Sequence, residues 1–245
     1  MRLIPKLEYR QALKINFIRR WIGAYRLQKS LLRRGIRTLD SSQSTKETLQ
    51  HNLKSLKDFS NRRMELLIRP LSVIETVQPS SRVLLIGPRN ENDLLIASTY
   101  LDIPIHLIRG LDLISYSKQI DLGDMHQMPY DDDQFDIVIC GWTLSYSAHP
   151  QKLADEMSRV CAPGGLIAVG VEYSELDESG YRQLLGYNLS VPGMDRINSV
   201  PQILDLFGQR VDEVMFSHNA PNKISHAPTG KVDNPSSVAT IFSVN

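Results

Sequence analysis

The stretch FDIVIC (residues 135–140), GWTLSYSAH (141–149), PQKLADEMSRV (150–160), CAPGG (161–165) and LIAVGV (166–171) decides the architecture. Phe135 to Cys140 and Leu166 to Val171 are short, continuous apolar runs. That pattern fits strands buried on both faces, as in a parallel sheet covered by helices. Pro150 to Val160 between them reads as an amphipathic helix, ended by Ala162-Pro-Gly-Gly165.

Working upstream, Arg82-Val-Leu-Leu-Ile-Gly87 is another buried apolar run ending in glycine, and Asn92 to Leu101 reads as the helix that follows it. Ile105 to Leu111 is predicted as the next strand, with a short one near Ile120. Downstream come a helix near Val200–Phe207, a strand near Val211–Phe216, a polar loop and a strand over Ser237–Val244. The alternation predicts an α/β, Rossmann-like, doubly wound and mostly parallel sheet. The two late strands lack a helix between them and imply an antiparallel hairpin edge. Before Pro79-Ser80-Ser81 the pattern is different. Helices are predicted over 8–34, stopped by Gly35, over 46–60, and over 62–76 with Pro70 interrupting. The chain therefore divides into a basic helical extension, 1–78, and a core, 79–245.

Of the 245 residues 42% are hydrophobic and 22% charged, which is ordinary globular composition. No run of about 18 apolar residues occurs, and the first residues carry no secretory pattern. Two cysteines, Cys140 and Cys161, exclude a disulfide scaffold and a four-thiolate zinc site. Lying in apolar runs, they suggest reduced thiols and a cytoplasmic protein. His218 and His226 have no metal-ligand spacing with either, so no metal is assigned. The net charge of +1 hides a split: residues 1–40 hold eleven basic and two acidic side chains, and the remaining 205 hold 17 and 25. Such an arm suits a membrane surface, a nucleic acid or an acidic face of its own protein.

In a doubly wound sheet, ligands bind outside the carboxyl ends of the strands. Three polar segments fall there. Gly87-Pro-Arg-Asn-Glu-Asn-Asp93 opens a helix after the first strand, where a glycine admits a ligand to the backbone and the helix N-terminus favours an anion. Its plainer alternative is a turn with Asn/Asp caps. Asp112, 25 residues after Gly87, can accept both hydroxyls of a ribose, or bind its own turn. Asp124 can accept from an adenine amino group beside the Met125 N–H, or belong to an acidic surface loop. The surface-loop reading is preferred for Asp131, Asp132 and Asp133.

The run GDMHQMPYDDDQFDIVI followed by ADEMSRVCAPGGLIAV resembles the S-adenosylmethionine-dependent methyltransferases of class I, closest to the broad type 11 group. That group carries a G-D-x-x-x-L-P-F segment, an F-D-x-V strand and an E-x-x-R-V-L-K-P-G-G segment. The likeness spans residues 82–172 and implies a seven-stranded sheet whose last strand is inserted antiparallel. It also implies S-adenosyl-L-methionine as cofactor. Gly87 would approach its methionine part, Asp112 hold the ribose, and Asp124 with Met125 frame the adenine. Gly141 and Trp142 would face cofactor and acceptor, and Glu91 would bind the ammonium group. Two departures stand out: G-P-R-N-E-N replaces a glycine-rich turn, and only twelve residues separate Asp112 from Asp124.

The resemblance implies methyl transfer to an oxygen or nitrogen of a small-molecule or sugar acceptor. The thin glycine motif supports the alternative, a noncatalytic binding or scaffold protein. Acceptor-side candidates are Trp142, Tyr146, His149, Glu172 and Tyr173, with His126 beside the adenine segment; a histidine can deprotonate a hydroxyl. Core packing is the alternative for Trp142 and Tyr146, and a capping or surface place is favoured for His149. No module for sequence-specific nucleic-acid reading is present. The resemblance also implies that the N-terminal helix acts as a lid, burying Phe17, Trp21 and Tyr25 and presenting Arg19, Arg20 and Arg26 to the acidic core. Peripheral membrane contact through its basic face and a solvated arm without a role are the alternatives.

Overall fold

The computed structural model describes residues 11–39, 52–59, 63–173, 197–219 and 236–245. Seven strands form the central sheet: β2 (Val83–Ile86), β3 (Ile108–Asp112), β5 (Ile120–Leu122), β6 (Phe135–Gly141), β7 (Cys161–Tyr173), β8 (Val211–His218) and β9 (Ser236–Val244). Their spatial order is β5-β3-β2-β6-β7-β9-β8. All pairs from β5 to β7 are parallel, whereas β9 runs antiparallel to both β7 and β8. This is the predicted Rossmann-like sheet with its antiparallel late strand.

The apolar runs are continuous because both faces are covered. Val83 and Leu85 of β2 enter one core, and Leu84 and Ile86 enter the other, as the two-residue strand period requires. On the second face lie α4 (Pro150–Val160) and α5 (Val200–Phe207), whose Leu153, Met157, Ile203 and Phe207 are buried. The first face is covered by α3 (Glu91–Tyr100) and α2 (Glu65–Leu71). Pro70 lies inside α2, which ends one residue later.

Several boundaries differ from the sequence reading: α2 stops at Leu71, short of residue 76, and β7 extends beyond Leu166–Val171 at both ends. The strand expected from Ile105 begins at Ile108, because Pro104 leads into a single 3₁₀ turn over Ile105–Leu107. The short link between Asp112 and Asp124 contains β4 (Ile114–Ser115), which pairs antiparallel with β1 (Arg37–Thr38). Cys140 and Cys161 are free and buried, and burial pushes each thiol up to about 12.

The long helix α1 (Asn16–Arg34) corrects one part of the lid expectation, the burial of its aromatic side chains. Its inward face is Arg19, Gly23 and Leu27. Gly23 permits close approach: a Cβ there would lie 3.2 Å from Phe59 Cδ1 and 3.4 Å from Asn92 Cβ. Arg19 meets Glu65 at 3.0 Å and Arg26 meets Glu91 at 2.5 Å, so two of the three expected arginines do face core acids. Phe17, Trp21 and Tyr25 are not buried; they are 77%, 64% and 53% exposed. Two acids lie beneath the helix, Glu65 4% and Glu91 3% exposed, and their desolvation requires cations. Pointing arginine inward turns the aromatic side out.

Candidate functional site

The cleft opens at the carboxyl ends of β2, β3, β5 and β6, where the chain switches direction between sheet halves. A cavity of about 150 Å³ lies there. Gly87, Asp112, Asp124, Met125, Gly141 and Trp142 all line it, as do Tyr146 and His126. Glu91 and His149 are not among its lining residues. Glu91 is buried against Arg26, and its backbone N–H donates to the Tyr116 hydroxyl at 2.7 Å. His149 is exposed at the start of α4, its ring 6.0 Å from that of His126.

Gly87 occupies the left-handed region at φ +64°. Its N–H donates to Leu111 O at 2.8 Å, tying β2 to β3. A Cβ at this position would run into the Thr143 side chain, whose hydroxyl donates to Ile86 O at 3.1 Å. Only glycine allows three strand ends to be drawn together here. One glycine thus suffices at this turn, and Asn90 caps α3 by accepting from Asn92 N–H.

Asp112 ends β3. Its Oδ1 accepts the Ile114 N–H at 3.0 Å and faces Asn52 Nδ2 at 3.5 Å. Burial pushes this carboxyl up to about 7. The Leu113 N–H is a third donor, and a carboxylate with about four lone-pair sites still has room for a further partner. The hydroxyls of a sugar are suitable partners.

Asp124 sits in a tight turn bridged to Gln127. Its Oδ1 accepts from the His126 N–H at 2.8 Å and contacts His126 Nδ1 at 2.7 Å. His126 Nε2 is 2.7 Å from Ser147 Oγ, and the ring is 3% exposed. A carboxylate only accepts, so Nδ1 carries a proton; in the neutral ring Nε2 then accepts from the serine hydroxyl. This chain links the turn after β5 to the segment after β6. Ser147→Ala should leave His126 Nε2 buried without its donor and cost about 1–2 kcal/mol of unfolding free energy; urea unfolding midpoints would read it. Asp121, the other carboxylate of this segment, is bound to Arg109 and accepts from the Tyr130 hydroxyl at 2.9 Å, and it does not line the cavity.

Trp142, one of the residues expected to face an acceptor, is held at φ +65°, an uncommon conformation for a bulky residue. Its backbone N–H donates to Gly170 O at 2.7 Å. Arg63 lies over the indole at 5.2 Å and is ion-paired with Glu172. Glu172 and Tyr173 do not line the cavity, though Glu172 acts on it through Arg63.

Sequence reasoning missed Asn52, Ser55, Leu56, Arg63 and Tyr116, all of which line the cleft. Asn52, Ser55, Leu56 and Arg63 come from segments that precede the sheet, Tyr116 directly follows β4, and no local pattern marks them. His218 is exposed on β8, and His226 falls outside the described residues. Among the described residues no group of three His, Cys, Asp or Glu side chains can hold a metal.

Comparison with known proteins agrees with this geometry. Residues 107–169 match the family described as "Methyltransferase domain". Over 71 residues the chain is 38% identical to demethylmenaquinone methyltransferase of Lysinibacillus sphaericus, covering 28% of this chain and 30% of that one. Over 60 residues it is 38% identical to the biotin biosynthesis bifunctional protein BioHC of Teredinibacter turnerae, 24% of this chain and 10% of that protein. The matched stretches thus span less than a third of either relative. Among solved structures, a chain in the complex of the Haloferax volcanii Trm112 methyltransferase activator with a methyltransferase aligns with TM-score 0.55 and 17% identity, covering 82% of this chain and 97% of that one. A protein assigned as a sarcosine dimethylglycine methyltransferase from Galdieria sulphuraria aligns with TM-score 0.51 and 13% identity, covering 74% and 85%. These two likenesses concern the fold. The likeness to a methyltransferase domain thus falls on residues 107–169, within the sheet expected from the sequence.

Proposed function

We propose that this chain, built on a class I S-adenosylmethionine-dependent methyltransferase core, is an active transferase that methylates an oxygen or nitrogen of a small-molecule or sugar acceptor. The observation that carries the reading is Asp112, a carboxylate with room for a further partner in the cleft at the end of the second sheet strand. It fits the vicinal hydroxyls of the cofactor ribose. Gly87 lines the cleft where the methionine part would lie, and the Asp124–Met125 turn would frame the adenine. When bound, the cofactor supplies a methyl group on a sulfonium sulfur.

The protein's part is to bind, align and exclude water. Trp142 and Tyr146 would orient the acceptor, with Arg63 drawing a polar or anionic portion of it into the cleft. In-line alignment supplies much of the acceleration in such a transfer, so a base is not obligatory. His126 has both ring nitrogens engaged, and its role here is to hold the Asp124 turn. His149 would take no part in proton transfer.

Calorimetric titration with S-adenosylmethionine and S-adenosylhomocysteine tests the cofactor half of this reading. The expected result is one site per chain for each ligand. Transfer of label from methyl-labelled cofactor into a small-molecule extract, absent when the extract is omitted, tests the acceptor half. Cofactor binding without transfer to any extract component would favour the scaffold alternative, and absence of binding would overturn the proposal.

A further inference from the structure

The outward face of α1 is not what a helix exposed only to water presents. Phe17, Trp21, Tyr25 and Leu32 follow one another at spacings of four, four and seven, which sets them in a line along one side. They are 77%, 64%, 53% and 82% exposed. Trp21 and Tyr25 stack with ring centres 6.0 Å apart, and Lys29 Nζ lies 5.9 Å from the Tyr25 ring. The helix contains no acidic residue. Arg19 and Arg26 are spent inward on Glu65 and Glu91, but Lys14, Lys29, Arg33, Arg34 and Arg37 are exposed along and beyond this ridge.

We infer that this ridge docks the protein peripherally on a membrane bearing anionic phospholipid. Three features select that occupant. Trp and Tyr are suited to the headgroup level, with an apolar body and a polar tip. The cations around them match a negatively charged surface and extend past the helix end. The charge split sets orientation: residues 41–245 have a balance of −8 and are repelled by the same surface that attracts the arm. The contact is superficial, for no helix among the described residues is long and apolar enough to cross a bilayer. Because the inward face of α1 is committed to the core, docking needs no rearrangement of the helix.

The chain has two tryptophans, and only Trp21 is exposed; Trp142 is 6% exposed. Trp21 emission in the full chain therefore reports the contact. With vesicles of equimolar phosphatidylglycerol and phosphatidylcholine we expect a blue shift and co-sedimentation, both weakened by high salt and lost on pure phosphatidylcholine. Phe17→Ser with Leu32→Ser should lower the partition coefficient at least about tenfold. Lys29→Glu with Arg33→Glu should also lower it at least about tenfold. Both pairs alter solvent-facing side chains, and cofactor affinity checks that the fold is intact. Unshifted Trp21 emission on anionic vesicles would overturn the inference. So would equal binding by the variants, or a concentration-dependent self-association that shields Trp21 without lipid.

Discussion

Glu65→Ala should destabilise the protein by about 3–5 kcal/mol, the usual cost of removing one partner from a buried ion pair. Glu65 Oε1 holds Arg19 Nη2 at 3.0 Å, and Oε2 accepts from Arg69 Nη2 and Nε at 2.9 and 3.1 Å. Arg19 is 1% exposed; it also donates to Leu13 O at 3.1 Å and Asn16 Oδ1 at 2.5 Å and lies 5.7 Å from the Tyr100 ring centre. Without the carboxylate its charge is stranded in the interior. Arg69 stays largely in water and loses little by comparison. Replacing both partners, as Arg19→Met with Glu65→Leu, should recover most of the loss, since well-packed apolar pairs often match buried ion pairs. Denaturant unfolding of the four-member cycle gives the coupling. If Glu65→Ala cost no more than a surface substitution, α1 would not be anchored as described. Hydrogen exchange over residues 16–34 reports the same event locally, as faster exchange in the single variant.

Asp112→Asn should weaken cofactor binding about ten- to a hundredfold, equivalent to about 1.5–3 kcal/mol for a charge-assisted hydrogen bond. The same change should raise the unfolding temperature of the ligand-free protein at pH 8. Burial pushes the carboxyl from 3.8 to about 7. Between those values the native state binds more protons than the unfolded chain, so stability falls as pH rises through this window. Asparagine removes that penalty, and its advantage should shrink as pH is lowered from 8 toward 4. For the wild type, affinity should drop as pH falls below about 7, approaching tenfold per pH unit, because the protonated acid no longer accepts from both ribose hydroxyls. Calorimetry between pH 5.5 and 8 reads this directly, because protonation of Asp112 is linked to cofactor binding. A variant that bound normally would take Asp112 out of the ribose site.

Much of the site could be read from the chain because strand ends converge by topology. Once β2, β3, β5 and β6 are parallel neighbours, Gly87, Asp112, Asp124, Met125, Gly141 and Trp142 must surround one crevice. Glu91 escaped that logic. It follows Gly87 by four residues, but it lies in the first turn of α3 and faces α1. Direction, not distance along the chain, decided its role. His126 was read as a neighbour of the adenine segment, and its part in a carboxylate–imidazole–hydroxyl line depends on Ser147, 21 residues away. Arg63 and Asn52 reach the cleft from segments whose local pattern says only helix.

The amino-acid order by itself determined the sheet. Period-two burial and unbroken apolar runs admit few arrangements, and turn residues such as Gly87 and Gly164, both at positive φ, punctuate them. It also determined that the N-terminal arm is basic and amphipathic. Only the tertiary structure decided which side of that arm faces inward. An aromatic face and an arginine-bearing face are both plausible contacts for a core, and hydropathy favours burying the aromatic one. The choice fell to arginine because Glu65 and Glu91 are buried beneath the helix and a desolvated carboxylate costs more than an exposed ring. Gly23 then let the backbone approach closely enough for those pairs to form.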